Sequence, residues 1–341
     1  MSQRTFKWYL ALSVFQMKPI AAAGYSPDAD KEARRAMKLP FLFISSCVLS
    51  TASVAAQRPV PVREIPGAQT LVFRQVGRAT LHLHIFLPPE HTASDNRPAM
   101  LMFFGGSWER GAPTMLIHHA KYFASRGMVV ILPDYRTKRY YPKITPLDCL
   151  ADAKAAFRWT RSHAAEWGMD QQRIAATGLS AGGYLVAAML LDALEEPDAD
   201  TSVSCHPDAL VLFNPVLDTT STGFHTEKFG DRAHDASPVH HVRPGIPPAI
   251  IFHGKADTLV PCEQSERYAV AMTAAGNTCR LLTYEGQKHG FYWSEPYHSE
   301  TIQEADRFLA SLGWLQGEPT TPPPPLSRSE RSTSQSTLPS P

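Results

Sequence analysis

The sequence predicts an α/β chain: a mostly parallel central sheet flanked by helices and entered through an antiparallel hairpin. Three observations carry this. Short apolar runs alternate with helical patterns from residue 98 onward, several runs end in Gly-rich loops, and the first two runs alternate apolar and polar residues about a glycine. Leu71 to Val76 and Thr80 to Leu87 are that hairpin, turning at Gly77. A strand from Pro98 to Phe104, a helix through His118 to Arg126 and a strand from Met128 to Leu132 follow. The next helix runs from about Pro146 to Trp167. It starts on a capping Thr145, with proline in the first turn and Asp148 three residues past the cap. Strands at Arg173 to Thr177, Ala209 to Phe213, Ala249 to Phe252 and Leu281 to Tyr284 complete the sheet, with helices at Tyr184 to Leu191 and about Cys262 to Ala275. In such a sheet the functional loops leave the C-terminal strand ends.

Length and composition bound the rest. The 341 residues, 43% of them hydrophobic, suffice for one large α/β domain and leave no room for a second. Basic and acidic residues balance at 33 against 32, so nothing favours nucleic acid or an anionic membrane surface, and partners should be small and largely neutral. Residues 37 to 56 combine Lys38, a short apolar run and the small-residue end Val54-Ala55-Ala56. This is the pattern of a secretory signal, with a buried or membrane-anchoring helix as the competing reading. The layout expected is therefore an upstream extension over 1 to 36, a signal over 37 to 56, the α/β domain over 57 to 316, and a tail from 317 to 341. The mature chain would be secreted or periplasmic and begin near Gln57. Pro322 to Pro325 and the surrounding Ser and Thr predict disorder in the tail. Residues 218 to 247, without periodicity, read as a cap or rim or as a plain surface excursion.

Cysteine and histidine counts add little. Cys149, Cys205, Cys262 and Cys279 allow three disulfide pairings, of which Cys262 with Cys279 is disfavoured because a helix separates them. His82 and His84 share a strand face without a third ligand nearby in sequence, so they read as solvated side chains. Neither a metal nor a cofactor is expected.

The chemistry sits in four segments. Gly178-Leu179-Ser180-Ala181-Gly182 lies between a strand and a helix, where a serine at a sharp turn exposes its hydroxyl only if its neighbours are small. Serine is a weak nucleophile at neutral pH and needs a base, and His289 in Gly286-Gln287-Lys288-His289-Gly290-Phe291 can supply one. An imidazole that gains a proton needs a carboxylate to hold its tautomer. Asp257, in His253-Gly254-Lys255-Ala256-Asp257, and Asp218, in Asn214-Pro215-Val216-Leu217-Asp218, both follow strands and both qualify. His253 reads as a strand-end packing or hydrogen-bonding residue. After the strand at 98 to 104, Gly105-Gly106-Ser107-Trp108 offers backbone N–H groups for an oxyanion.

Together these segments, with Asp134-Tyr135-Arg136, resemble α/β-hydrolase esterases of the acetylesterase and feruloyl/acetylxylan esterase-like branch, over nearly all of residues 70 to 315. The resemblance implies the chain order Ser, Asp, His and places the acid after the penultimate strand, which selects Asp257 over Asp218. It implies Ser180, Asp257 and His289 as the triad and Gly106, Ser107 and Ala181 as the oxyanion hole. Esterases of the hormone-sensitive-lipase-like group carry His-Gly-Gly-Gly where this chain has Phe104-Gly105-Gly106-Ser107, so the loop must be braced differently. The expected activity is hydrolysis of short acyl, above all acetyl, esters on a small molecule or an oligosaccharide. An amidase, arylformamidase-like or peptidase activity is the alternative within enzymes, and an inactive hydrolase-fold binding protein the alternative outside them.

Overall fold

A computed structural model describes residues 64–220, 225–327 and 329–330. The upstream extension and the signal at 37 to 56 lie outside the described residues. Eight strands form one sheet in the order β1-β2-β4-β3-β5-β6-β7-β8. β1 (Gln69–Val76) and β2 (Ala79–Phe86) are the antiparallel hairpin, and β2 also runs antiparallel to β4 (Val129–Pro133). From β4 through β3 (Arg97–Phe103), β5 (Met169–Leu179), β6 (Ala209–Phe213), β7 (Ala249–Gly254) and β8 (Cys279–Tyr284), every pairing is parallel. This is the α/β-hydrolase architecture.

Burial follows from position in the sheet. All of β4, β6 and β7, and all of β3 after Arg97, are buried, as expected of parallel strands covered on both faces; the edge strands β1 and β8 are mixed. β5 begins earlier than its apolar run, because Met169 to Gln172 extend it through polar residues. The cover comes from α1 (Ile117–Ser125), α2 (Pro146–Ser162), α3 (Ala181–Ala188), α4 (Glu263–Ala274) and α5 (Tyr297–Ser311). α2 starts as the sequence predicts: Thr145 accepts from the Asp148 N–H while the Asp148 carboxylate accepts from the Thr145 N–H at 2.8 Å. It ends at Ser162, and a short 3-10 turn continues to Trp167. α1 and α5 are tied by the buried Asp306, which accepts from Arg126 Nε at 2.6 Å and from the Tyr122 hydroxyl at 2.8 Å.

Three expectations need correction or detail. Residues 317 to 327 carry no helix or strand, and side chains of the domain meet their backbone. Pro322 and Leu326 are buried, and the carbonyls of Gln316, Gly317, Thr320 and Pro323 meet Arg126, Gln303 and His298. Prolines have little chain entropy to lose, and their carbonyls remain acceptors, so a polar Pro-rich segment can dock. His82 and His84 are not solvated either. β4 brings Asp134 to them across the sheet: His82 Nδ1 lies 3.0 Å from Asp134 Oδ2, and fully buried His84 bonds Thr70 Oγ1 at 2.9 Å. The four cysteines described are free thiols, and burial pushes those of Cys205, Cys262 and Cys279 up to about 11.

Candidate active site

Register assembles the site. Phe103 of β3 pairs with Gly178 of β5, Leu179 with Phe213 of β6, and Phe213 with Phe252 of β7, so four strands end side by side and their loops meet above the sheet. The strand order departs to either side of β3, and a crevice forms at such a switch point.

Ser180 joins β5 to α3 in a backbone conformation that residues with side chains rarely adopt, φ 54° and ψ −114°. The strain is held by packing that tolerates no side chain nearby: a Cβ on Gly182 would lie 2.2 Å from the Phe103 carbonyl oxygen. Its own N–H is tied to the Phe213 carbonyl at 2.8 Å. The turn aims the Ser180 hydroxyl at His289, whose Nε2 is 3.0 Å from Oγ, while Nδ1 is 2.7 Å from Asp257 Oδ2. A carboxylate can only accept, so Nδ1 carries the proton and Nε2 is left as the acceptor for the serine hydroxyl.

Asp257 is buried and heavily donated to. Oδ1 accepts from the N–H groups of Leu259 and Val260 at 2.9 and 3.0 Å; Oδ2 accepts from His289 and, at 2.5 Å, from Asn214 Nδ2. Burial alone would raise this carboxyl, but hydrogen bonds from His253 and His289, the charge of His289 and the Val260 N–H outweigh it and hold it well below the usual range. His253 sits as expected at a strand end, with Nε2 on the Val260 carbonyl at 2.9 Å and Nδ1 against Ser265 Oγ at 2.7 Å.

Asp218 goes elsewhere. Its carboxylate accepts from Thr220 and, at 2.7 Å, from Arg267, and its N–H donates to Gln264. Burial would raise it, but the bonds from Thr220 and Arg267 prevail and hold it at about 2. The segment after it is a rim of short 3-10 turns at Thr226–Lys228, Gly230–Arg232 and Pro238–His241, while 221–224 lie outside the described residues. Phe229 from this rim stacks edge-on against both Trp108 and Tyr184.

The loop after β3 turns back beside the elbow. Gly106 has φ 128°, and a Cβ there would lie 2.2 Å from the Arg110 carbonyl oxygen; Ser107 and Trp108 follow in left-handed conformations, φ 56° and 61°. Phe104 supplies the brace that a histidine would give elsewhere: its ring stacks on Tyr135 with centroids 4.0 Å apart, and its carbonyl accepts from the Tyr135 hydroxyl at 2.8 Å. Ala181 opens α3, so its N–H has no partner within the helix. Asn214, Tyr135 and Lys228 were not assigned roles from the sequence. The motifs Asn214-Pro215 and Asp134-Tyr135 flagged two of them, and nothing local flags Lys228. Among the described residues, no group of three or more His, Cys, Asp and Glu is placed to hold a metal, and no helix is long and apolar enough to cross a membrane.

A profile of the prolyl oligopeptidase family matches residues 114–313. The chain belongs to this family. Among solved structures, esterase 2 of Thermogutta terrifontis is 42% identical with a TM-score of 0.72, over 75% of this chain and 98% of that one, in a form phosphoramylated by tabun. Curated relatives of this family member include a probable carboxylic ester hydrolase, LipM, of Mycobacterium tuberculosis, 29% identical over 58% of this chain and 49% of its own length. Another is the isoprenylcysteine alpha-carbonyl methylesterase ICME of Arabidopsis thaliana, 25% identical over 61% and 53%. The chain spans about half the length of the curated relatives it matches. They place it near bacterial carboxylesterases and plant methylesterases, and do not single out the acetylesterase and acetylxylan esterase-like branch.

Proposed function

We propose that the chain is a serine esterase that works through an acyl-enzyme. The observation that carries this is the unbroken relay from Asp257 through His289 to the strained Ser180. Ser180 Oγ attacks the ester carbonyl as its proton passes to His289 Nε2. Asp257 stabilises the imidazolium, which then protonates the departing alcohol; water repeats the cycle to release the acid. The N–H groups of Gly106, Ser107 and Ala181 are the donors for the oxyanion.

Short acyl groups are the substrate class we infer. Related Thermogutta structures hold propionate and butyrate at 40% identity, which supports acyl chains of that size here. For the alcohol part we propose a carbohydrate, with export through the segment at 37 to 56. Hydrolysis of p-nitrophenyl acetate, butyrate and octanoate, then of acetylated xylo-oligosaccharide, tests both parts. Preference for octanoate sinks the short-acyl reading, and no acetate released from the sugar sinks the carbohydrate reading. The family match to prolyl oligopeptidases favours one second reading, an amidase or peptidase. Faster turnover of a peptidyl or formyl anilide than of the acetate ester would establish it.

A further inference from the structure

We propose that Lys228 is a positioning residue that clips the rim onto the oxyanion loop and holds the Ser107 peptide in place for catalysis. This deepens the esterase reading and rests on it. The Lys228 side chain is only 9% exposed, although it comes from a separate segment 121 residues away in the chain. Its ammonium donates to the Ser107 carbonyl at 3.3 Å and to Glu109 Oε1 at 2.8 Å, and lies 5.7 Å from the centroid of the Trp108 ring. Three consecutive residues of the loop, 107 to 109, are thus gathered by one cation. They are the residues that need it, because Ser107 and Trp108 both hold left-handed backbone that their side chains disfavour. Gly106 is held independently, its carbonyl accepting from the N–H groups of Glu109 and Arg110. Trp108 and Glu109 are held through their carbonyls by the N–H groups of Lys138 and Arg139. At Ser107 the tie comes from Lys228, which fixes the carbonyl of the peptide that follows the Gly106–Ser107 peptide, and the N–H of that preceding peptide is the proposed oxyanion donor. The neighbouring Phe229 packs on Trp108 and Tyr184, so the clip has a rigid base. The bond to Lys228 also holds the Glu109 carboxyl below its ordinary value.

The test compares Lys228→Met, which keeps the stem and removes the donors, with Lys228→Arg in the full chain. Four quantities are read: kcat and KM for p-nitrophenyl butyrate, Ki for an aryl trifluoromethyl ketone, and Tm. The ketone adds reversibly to a serine hydroxyl and leaves its oxygen in the oxyanion hole. Lys228→Met should lower kcat about tenfold and raise Ki by a similar factor, as for weakened oxyanion stabilisation, with KM within about twofold and little change in Tm. Lys228→Arg should recover most of both. A Met variant with wild-type kcat and Ki, or one raised only in KM, overturns the clip. Should the Met variant fail to fold, Glu109→Gln loosens the same ammonium and should lower kcat about threefold with Ki rising in parallel; no change in either overturns the proposal. An active wild type with an indifferent Lys228→Met removes the clip alone, whereas a wild type inactive on every ester removes the esterase reading and the clip with it.

Discussion

Asp218 and Asp257 leave neighbouring strands β6 and β7, and both are buried carboxylates held below their ordinary range. What separates them is the partner. Asp257 meets an imidazole that touches Ser180, and so its charge is coupled to the reaction. Asp218 meets Arg267 and Thr220, and so its charge anchors the rim. Burial and a lowered carboxyl therefore do not mark a catalytic acid; the path from the carboxylate to a nucleophile does.

The sharpest break in that comparison is at the acid itself. Asp257→Asn should cost about four decades of kcat, since the amide favours the wrong imidazole tautomer, whereas Asp218→Asn should stay within about tenfold of wild type. Steady-state rates on p-nitrophenyl acetate measure both, and the reverse ranking would move the role to Asp218. Next comes Ser180→Ala, expected to remove about three decades or more while leaving the circular dichroism spectrum unchanged. Asn214→Ala should cost about tenfold to a hundredfold in kcat with KM little altered, because the Asp257 carboxylate loses its shortest restraint and the relay drifts. A wild-type rate for that variant would show that the Leu259 and Val260 N–H groups suffice.

The smallest effect belongs to the rim. The Asp218 carboxyl is lowered in the folded state to about 2 from an ordinary value of 3.8. Its contribution to stability is therefore complete above about pH 4 and is lost as the pH falls toward 2. Asp218→Asn should lower stability at pH 7 by about 1–3 kcal/mol, as when a charged buried partner is removed. It should also flatten the acid limb between those two values, and urea titrations at pH 7, 4 and 3 measure this. A variant that keeps the wild-type acid limb would place the titration on another group.

Much of this was legible in the sequence because it was locally determined. The elbow needs small residues within two positions of Ser180, and the capping box of α2 needs Thr145 and Asp148 three apart; both requirements are written in consecutive residues. The choice between Asp218 and Asp257 was not local, since both follow apolar strands, and only the resemblance separated them before the distances did. Asn214, Tyr135 and Lys228 act across 43, 31 and 121 residues of chain, which no spacing rule reaches. The contacts of residues 317 to 327 are non-local in the same way. The segment's composition is polar, but its carbonyls are satisfied by Arg126, which caps α1, and by side chains of α5 that only the fold brings near. Nothing near His82 and His84 in sequence shows their partner, because Asp134 reaches them only through the antiparallel pairing of β2 with β4.

The central claim is that Ser180 is a nucleophile activated by His289 and Asp257, and a fluorophosphonate probes it most directly. Reaction with the full chain, followed by mass spectrometry of the digested protein, should find one adduct per chain, on the peptide carrying Ser180. The rate of labelling should fall by decades in Asp257→Asn and hardly at all in Asp218→Asn. No adduct, an adduct on another residue, or equal labelling rates in the two aspartate variants would contradict the account.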